Sequence, residues 1–225
     1  METGTLFIIS TPIGNLEDIT LRALRILKEV DYVLCEDTRV TGKLLHHHSI
    51  KAKMKRYDAH TSTHTHDTVL EDLSDGKQIA LVSDAGTPGI SDPGVLLVER
   101  ARKAGARIEV IPGASSVTAA VSIAGIAGNQ FTFLGFIPHK KGRETFIKNL
   151  PNHAQPAVFL ESTHRILKLL NSVEKELPTA KVYLARELTK LHEELLIGTA
   201  TELLTIFEAN PVKQKGEFVV LVEVK

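Results

Sequence analysis

Along this chain short apolar runs alternate with longer segments in which apolar residues return every three or four positions. The first kind fits buried strands and the second fits helices that cover them, which is the pattern of an α/β sheet with crossover helices. Residues 6–9 read as the first strand. After a turn at 11–15, Asp18 is placed to cap a helix whose Leu21, Leu24, Leu27 and Val30 share one face. The pattern then predicts a strand at 32–35, a short helix at 41–48, an edge strand at 54–57 and a helix through Val69, Leu70 and Leu73. A strand at 79–83, a helix over 95–104 stopped by Gly105 and a strand at 108–111 follow. Past a break at 112–116 and a helix of small residues at 117–126, the alternation resumes. Strands are expected at 131–137, 157–160, 182–185 and 218–224, with helices at 144–150, 165–177 and 201–209 between them. Two α/β domains are therefore expected, 1–116 and 117–225.

Composition narrows the partners. Apolar residues at 43% and charged residues at 24% suit a folded chain with a sizeable core. Lys plus Arg and Asp plus Glu are 27 each, so any polyanion must be met by a local patch rather than by net charge. Three candidate patches are Lys51, Lys53, Lys55 and Arg56; Lys140, Lys141 and Arg143 beside His139; and Arg22 with Arg25. The Lys140 loop is favoured because it follows a strand end. Cys35 is the only cysteine, which excludes an internal disulfide. With no apolar run near the roughly 20 residues that cross a bilayer, and no basic-then-apolar start, a cytoplasmic protein is expected. The histidines at 46–48 read as an exposed helix end and 60–67 as a polar loop, so no metal site is expected.

The densest punctuation lies at 83–94, with three glycines, two prolines and two aspartates directly after an apolar run. Such a segment forms a shaped loop at the carboxyl end of a buried strand, where open α/β sheets bind ligands. Gly86 and Gly89 allow close backbone approach, Asp84 and Thr87 offer polar groups, and Asp92 is placed to cap the next helix. The loops at 11–15 and 112–116 should open at the same sheet edge. Gly14 stands without the glycines of a dinucleotide fingerprint, and Gly42-Lys43 lacks the rest of a phosphate-binding P-loop.

Taken together, Thr11-Pro12-Ile13-Gly14-Asn15-Leu16-Glu17-Asp18, Cys35-Glu36-Asp37-Thr38-Arg39, the 83–94 loop and Pro112-Gly113 resemble the tetrapyrrole (corrin/porphyrin) methylase superfamily. Leu134-Gly135-Phe136, Glu161-Ser162-Thr163-His164-Arg165, Ala185-Arg186-Glu187-Leu188-Thr189-Lys190 and Gly216-Glu217-Phe218 resemble its ribosomal branch. The resemblance implies a homodimeric enzyme with S-adenosylmethionine in a cleft between two α/β domains. Its implied substrate is a cytidine of the decoding region of 16S ribosomal RNA, methylated on the ribose 2′-hydroxyl, within an assembled subunit. A superfamily methylase acting on a tetrapyrrole or a modified protein side chain is the alternative. The cofactor residues implied are Pro12, Asp84, Ala85, Gly86, Thr87, Ser115, Ser116, Phe136, Glu161, Ala185 and Arg186. A ribose hydroxyl is a poor nucleophile and asks for a base or a cation. Asp37 can take that proton while Arg39 fixes it or grips a phosphate, or the two can form a surface salt bridge. Lys190 is a second candidate for the developing alkoxide, and a purely positional mechanism stays open.

Overall fold

The structure is a computed structural model that describes residues 3–58, 61–90, 94–126, 129–139 and 142–224. The chain divides into two compact units, Met1–Ser115 and Ser116–Lys225.

The first unit runs β1 (Thr5–Ile9), α1 (Leu21–Glu29), β2 (Tyr32–Cys35), α2 (Thr38–His47), β3 (Met54–Arg56), α3 (Thr63–Ser74), β4 (Ile79–Val82), α4 (Gly94–Lys103) and β5 (Arg107–Ile111). Its sheet has the order β3-β2-β4-β1-β5 with every pairing parallel. Ile79, Ala80, Leu81 and Val82 are all buried because both faces of β4 are covered. Ala80 and Val82 pack with Ala23, Ile26 and Leu27 of α1 and Leu44 and Leu45 of α2. Ile79 and Leu81 pack with Val69 and Leu73 of α3 and Leu97 and Ala101 of α4 on the opposite face. Each fully buried Leu, Ile or Val contributes about 1.5–3 kcal/mol. A run with no polar alternation is what a doubly covered parallel strand demands. Because the strands run the same way, the carboxyl ends of β2, β4, β1 and β5 come to one edge.

Three local expectations change. Thr20, not Asp18, caps α1, its hydroxyl accepting from the Ala23 amide at 3.1 Å. Asp18 instead closes a 3-10 turn, Leu16–Asp18, capped by Asn15. Helix α2 begins at Thr38 rather than 41, since Asp37 accepts the Arg39 amide at 2.8 Å and opens the helix there. The polar loop expected at 60–67 is largely helix: Ser62 caps α3, and buried His66 continues the apolar face of Val69 and Leu73. His60 and Asp92 lie outside the described residues.

The second unit runs α5 (Ser116–Ala124), β6 (Thr132–Phe136), α6 (Arg143–Lys148), β7 (Ala157–Glu161), α7 (Ile166–Glu176), β8 (Lys181–Arg186), β9 (Glu194–Gly198), α8 (Ala200–Ala209) and β10 (Phe218–Glu223). The sheet order is β6-β7-β10-β8-β9, parallel between β6 and β7 and antiparallel elsewhere. Phe159, Leu184 and Val220 pack under α6, α7 and α8, and α5 meets β10 and β8. β9, which the sequence pattern did not reveal, pairs among the described residues on one side only, with β8.

Candidate functional site

Three strand-end loops of the first unit are knitted together by hydrogen bonds. Just past β1, the Ser10 amide donates to Ile111 O at 3.1 Å. Thr11 and Gly86 exchange backbone bonds of 2.9 and 3.1 Å, and the Thr11 hydroxyl donates to Ser83 O at 3.0 Å. Ser10 Oγ lies 2.9 Å from Thr87 Oγ1, which is 3.4 Å from Ala114 O. A chain in which Ser10 donates to Thr87 and Thr87 to Ala114 satisfies both contacts. Gly86 is buried with φ +79°, and a Cβ there would meet Ile13 Cγ2 at 3.5 Å and Ala114 O at 3.9 Å. Asp84 and Ala85, just before the left-handed turn at Gly86, are exposed at the edge, while Pro12 is buried.

The end of β2 joins the same edge. The Asp37 amide donates to Asp84 Oδ1 at 3.1 Å, tying the start of α2 to the glycine-rich loop. The Asp37 carboxylate takes the Arg39 amide, Nε at 3.0 and 3.1 Å and Nη2 at 2.6 Å. This two-pronged pairing, helped by the Arg39 amide, holds the Asp37 carboxyl well below the usual carboxylate range. The Arg39 side chain is 86% exposed, so solvent and ligands reach the pair from its outer side. The salt bridge weighed from the sequence is thus formed, and it lies beside Asp84.

In the second unit the expected residues divide by how their side chains are engaged. Glu161 ends β7 fully buried, accepting from Arg143 Nη2 at 2.7 Å, Arg165 Nε at 2.9 Å and the Ser162 amide at 2.7 Å. Arg143 is therefore not part of an RNA-facing patch: it is buried, turned inward to neutralise Glu161. Lys140 and Lys141 of that patch lie outside the described residues, and His139 Nδ1 accepts from Arg165 Nη1. Ala185 is buried in β8. Arg186 beside it is also buried and donates to Lys215 O at 2.6 Å, His192 O at 3.2 Å and Glu194 Oε1 at 3.0 Å. Phe136 closes β6 and is 55% exposed, whereas Ser116 opens α5 and Ser115 is the last residue of the first unit.

Lys190 Nζ donates to Glu187 Oε1 at 3.0 Å and Glu217 Oε2 at 2.9 Å, and the Glu217 amide reaches Glu187 Oε1 at 2.8 Å. Burial works against the Lys190 charge, but the bonds to Glu217 and Glu187 outweigh it and hold the ammonium above the ordinary lysine range. Residues 185–190 and 216–218, read separately in the sequence, are thus one lock around Glu187. Sequence reasoning passed over Glu187 and Ser10 as site residues. The available signal for Ser10 was a hydroxyl directly after the first apolar run.

The family model for Tetrapyrrole (Corrin/Porphyrin) Methylases matches residues 5–204. "Ribosomal RNA small subunit methyltransferase I" of Thermotoga maritima is 42% identical over 222 residues, covering 99% of both chains. The protein of the same name from Pasteurella multocida is 44% identical, covering 99% of this chain and 80% of its own. Among solved structures, a cobalt precorrin-4 methyltransferase of cobalamin biosynthesis superposes with a TM-score of 0.70 at 20% identity, over 96% of this chain and 94% of its own. A uroporphyrin-III-C-methyltransferase from Thermus thermophilus gives 0.66 at 20% identity, over 97% and 94%. At that identity the structures speak for the fold alone.

Proposed function

Since this chain belongs to the tetrapyrrole (corrin/porphyrin) methylase family, in its ribosomal RNA small subunit methyltransferase I branch, we propose that it is an S-adenosylmethionine-dependent methyltransferase of small-subunit ribosomal RNA. The acceptor we propose is the ribose 2′-hydroxyl of a cytidine in the decoding region, presented within an assembled subunit to a homodimeric enzyme. The observation that carries this reading is the joined strand-end edge, with exposed Asp84 hydrogen-bonded to the amide of Asp37, the residue that caps α2 and pairs with Arg39 in its first turn.

The residues at that edge fit the cofactor. Backbone can be approached closely at Gly86, where even a methyl group would fill the space toward Ile13 and Ala114. Asp84 accepts the Asp37 amide through Oδ1 and keeps Oδ2 without a hydrogen-bond partner among the described residues, an acceptor for a hydroxyl or amine. Pro12, Ala85, Thr87 and Ser115 would line this wall. From the second unit, Glu161 and Arg186 would contribute main-chain groups and shape, since their charged ends are engaged internally. The exposed Phe136 ring offers a face to an aromatic base, and Ser116 and Ala185 would add small polar and apolar contacts.

When bound, S-adenosylmethionine supplies a sulfonium methyl group open to in-line displacement by an oxygen nucleophile. Holding the acceptor in line is worth up to about 7–11 kcal/mol of barrier, and the knitted loops provide the rigidity for it. Asp37 accepts the hydroxyl hydrogen and orients the oxygen. Arg39 has the reach to grip a neighbouring phosphate; as it turns outward it loosens the hold that keeps Asp37 weakly basic. Lys190 remains the second group for a developing alkoxide, its charge secured by Glu187 and Glu217. The test is to incubate unmethylated small subunits, free ribosomal RNA and tetrapyrrole precursors with labelled cofactor and to map alkali-resistant linkages. One 2′-O-methylated cytidine is expected; label only in a tetrapyrrole or a protein would sink the proposal.

A further inference from the structure

Residues 38–57 hold Arg39, Lys43, Lys51, Lys53, Lys55 and Arg56 without one aspartate or glutamate, in a chain whose acids and bases balance at 27 each. The fold spreads this stretch over the outer side of α2 and the edge strand β3, and all six cations are exposed. Three are engaged by neighbours: Arg39 by Asp37, Lys55 by Asp72 and Arg56 by Asp58. Among the described residues Lys43, Lys51 and Lys53 have no ion-pair partner.

Between α2 and β3 lies an open groove of about 460 Å³. Its apolar lining comes from Gly42, Leu45, Ile50, Ala52 and Met54, and His46, Lys51 and Lys53 line it as well. Gly42 stands in the middle of α2, where glycine weakens a helix. The fold does not require it: its φ is not left-handed, and a Cβ would rest 3.6 Å from Met54 Cε, an ordinary contact. What the bare backbone provides is depth to the groove.

From this we infer that the α2–β3 groove docks the sugar–phosphate backbone of the RNA substrate, with Lys51 and Lys53 of the groove and Lys43 on the adjoining face of α2 on phosphates, and one nucleoside against the exposed Met54. The inference rests on the ribosomal RNA reading above. Charge complementarity selects the occupant, because phosphate contacts of this kind fix register without reading bases. Helix α2 sets the spacing: its start is tied to Asp84, and its ten residues span about 15 Å to the groove end. The groove therefore holds nucleotides flanking the reacting one. The rival occupant is an acidic protein segment adding a strand to the open edge of β3.

The experiment compares the wild type with Lys43→Gln/Lys51→Gln/Lys53→Gln, and separately with Gly42→Leu, which fills the floor without changing charge. Binding to unmethylated small subunits and to protein-free ribosomal RNA is measured across salt concentrations, alongside cofactor affinity by calorimetry. Loss of three phosphate contacts lowers the slope of log K against log salt by about 2 on single-stranded RNA. Gly42→Leu is expected to raise KM for RNA at unchanged kcat, and both variants to keep cofactor affinity. An unchanged slope with a folded triple variant overturns the groove. A defect on assembled subunits but not on protein-free RNA overturns RNA as the occupant. A wild type that transfers no methyl to RNA overturns the functional reading instead, so the failures are distinguishable.

Discussion

The Asp37 carboxylate accepts from the Arg39 amide, Nε and Nη2, and every one of these bonds favours its charged form. A carboxyl held below its usual range is ionised at every pH near neutrality. Its contribution to stability is present above the unfolded carboxylate range and is lost only as pH falls through the folded value. The pH profile of kcat is therefore expected to show no inflection from Asp37 above about pH 5. Asp37→Asn keeps the cap's shape and removes the charge, so transfer should slow by about 10²–10⁴ at unchanged cofactor affinity. Near-normal turnover would remove Asp37 from the mechanism. At Gly86 the constraint is conformational: φ of +79° is hostile to a β-branched residue, although the new carbon itself would make only ordinary contacts with Ile13 and Ala114. Gly86→Val is expected to abolish S-adenosylmethionine binding in calorimetry, with far-ultraviolet circular dichroism showing the fold retained; undiminished affinity would remove this loop from the cofactor site.

Elements differ in how plainly they announce themselves. β4 and β10 are visible as apolar runs because packing on both faces leaves no room for polar residues. β9 hides because its apolar run is only Leu195-Leu196-Ile197 between Glu194 and Gly198, half-exposed and hydrogen-bonded to β8 alone among the described strands, too short to stand out as a buried strand does. Helix starts shift by a few residues because Thr20, Asp37 and Ser62 bond amides that come next in the chain, a local choice among several hydroxyl and carboxylate residues. The loops after β1, β4 and β5 are legible as a candidate site from their glycines and prolines. The Ser10–Thr87–Ala114 contacts are not, since they join residues 27 and 77 positions apart. Arg143 illustrates the same limit: adjacency to Lys140 and Lys141 gives charge but not direction, and the side chain turns into the core. Its side chain is 3% exposed and that of Glu161 is 0%, so Arg143→Ala strips one of two cations from a buried carboxylate. Urea unfolding is expected to show a loss of about 3–5 kcal/mol. A loss below about 1 kcal/mol, the size of an exposed pair, would mean that Arg165 alone satisfies Glu161.

Across the whole molecule, a net charge of zero conceals a separation of charge along the chain. The stretch 38–57 is wholly basic, and acid elsewhere compensates for it. Association with a polyanion should accordingly depend on a few lysines and on salt rather than on overall attraction. The bond from the Asp37 amide to Asp84 Oδ1 then acquires a thermodynamic meaning. It anchors the helix that forms one wall of the cationic groove to the loop that offers Asp84 outward, so a ligand held by Oδ2 bears on the same carboxylate that ties down the first turn of α2. Two binding events that share one anchor are reciprocal: whatever factor the methyl donor imposes on affinity for the polynucleotide, the polynucleotide returns in equal measure to the methyl donor.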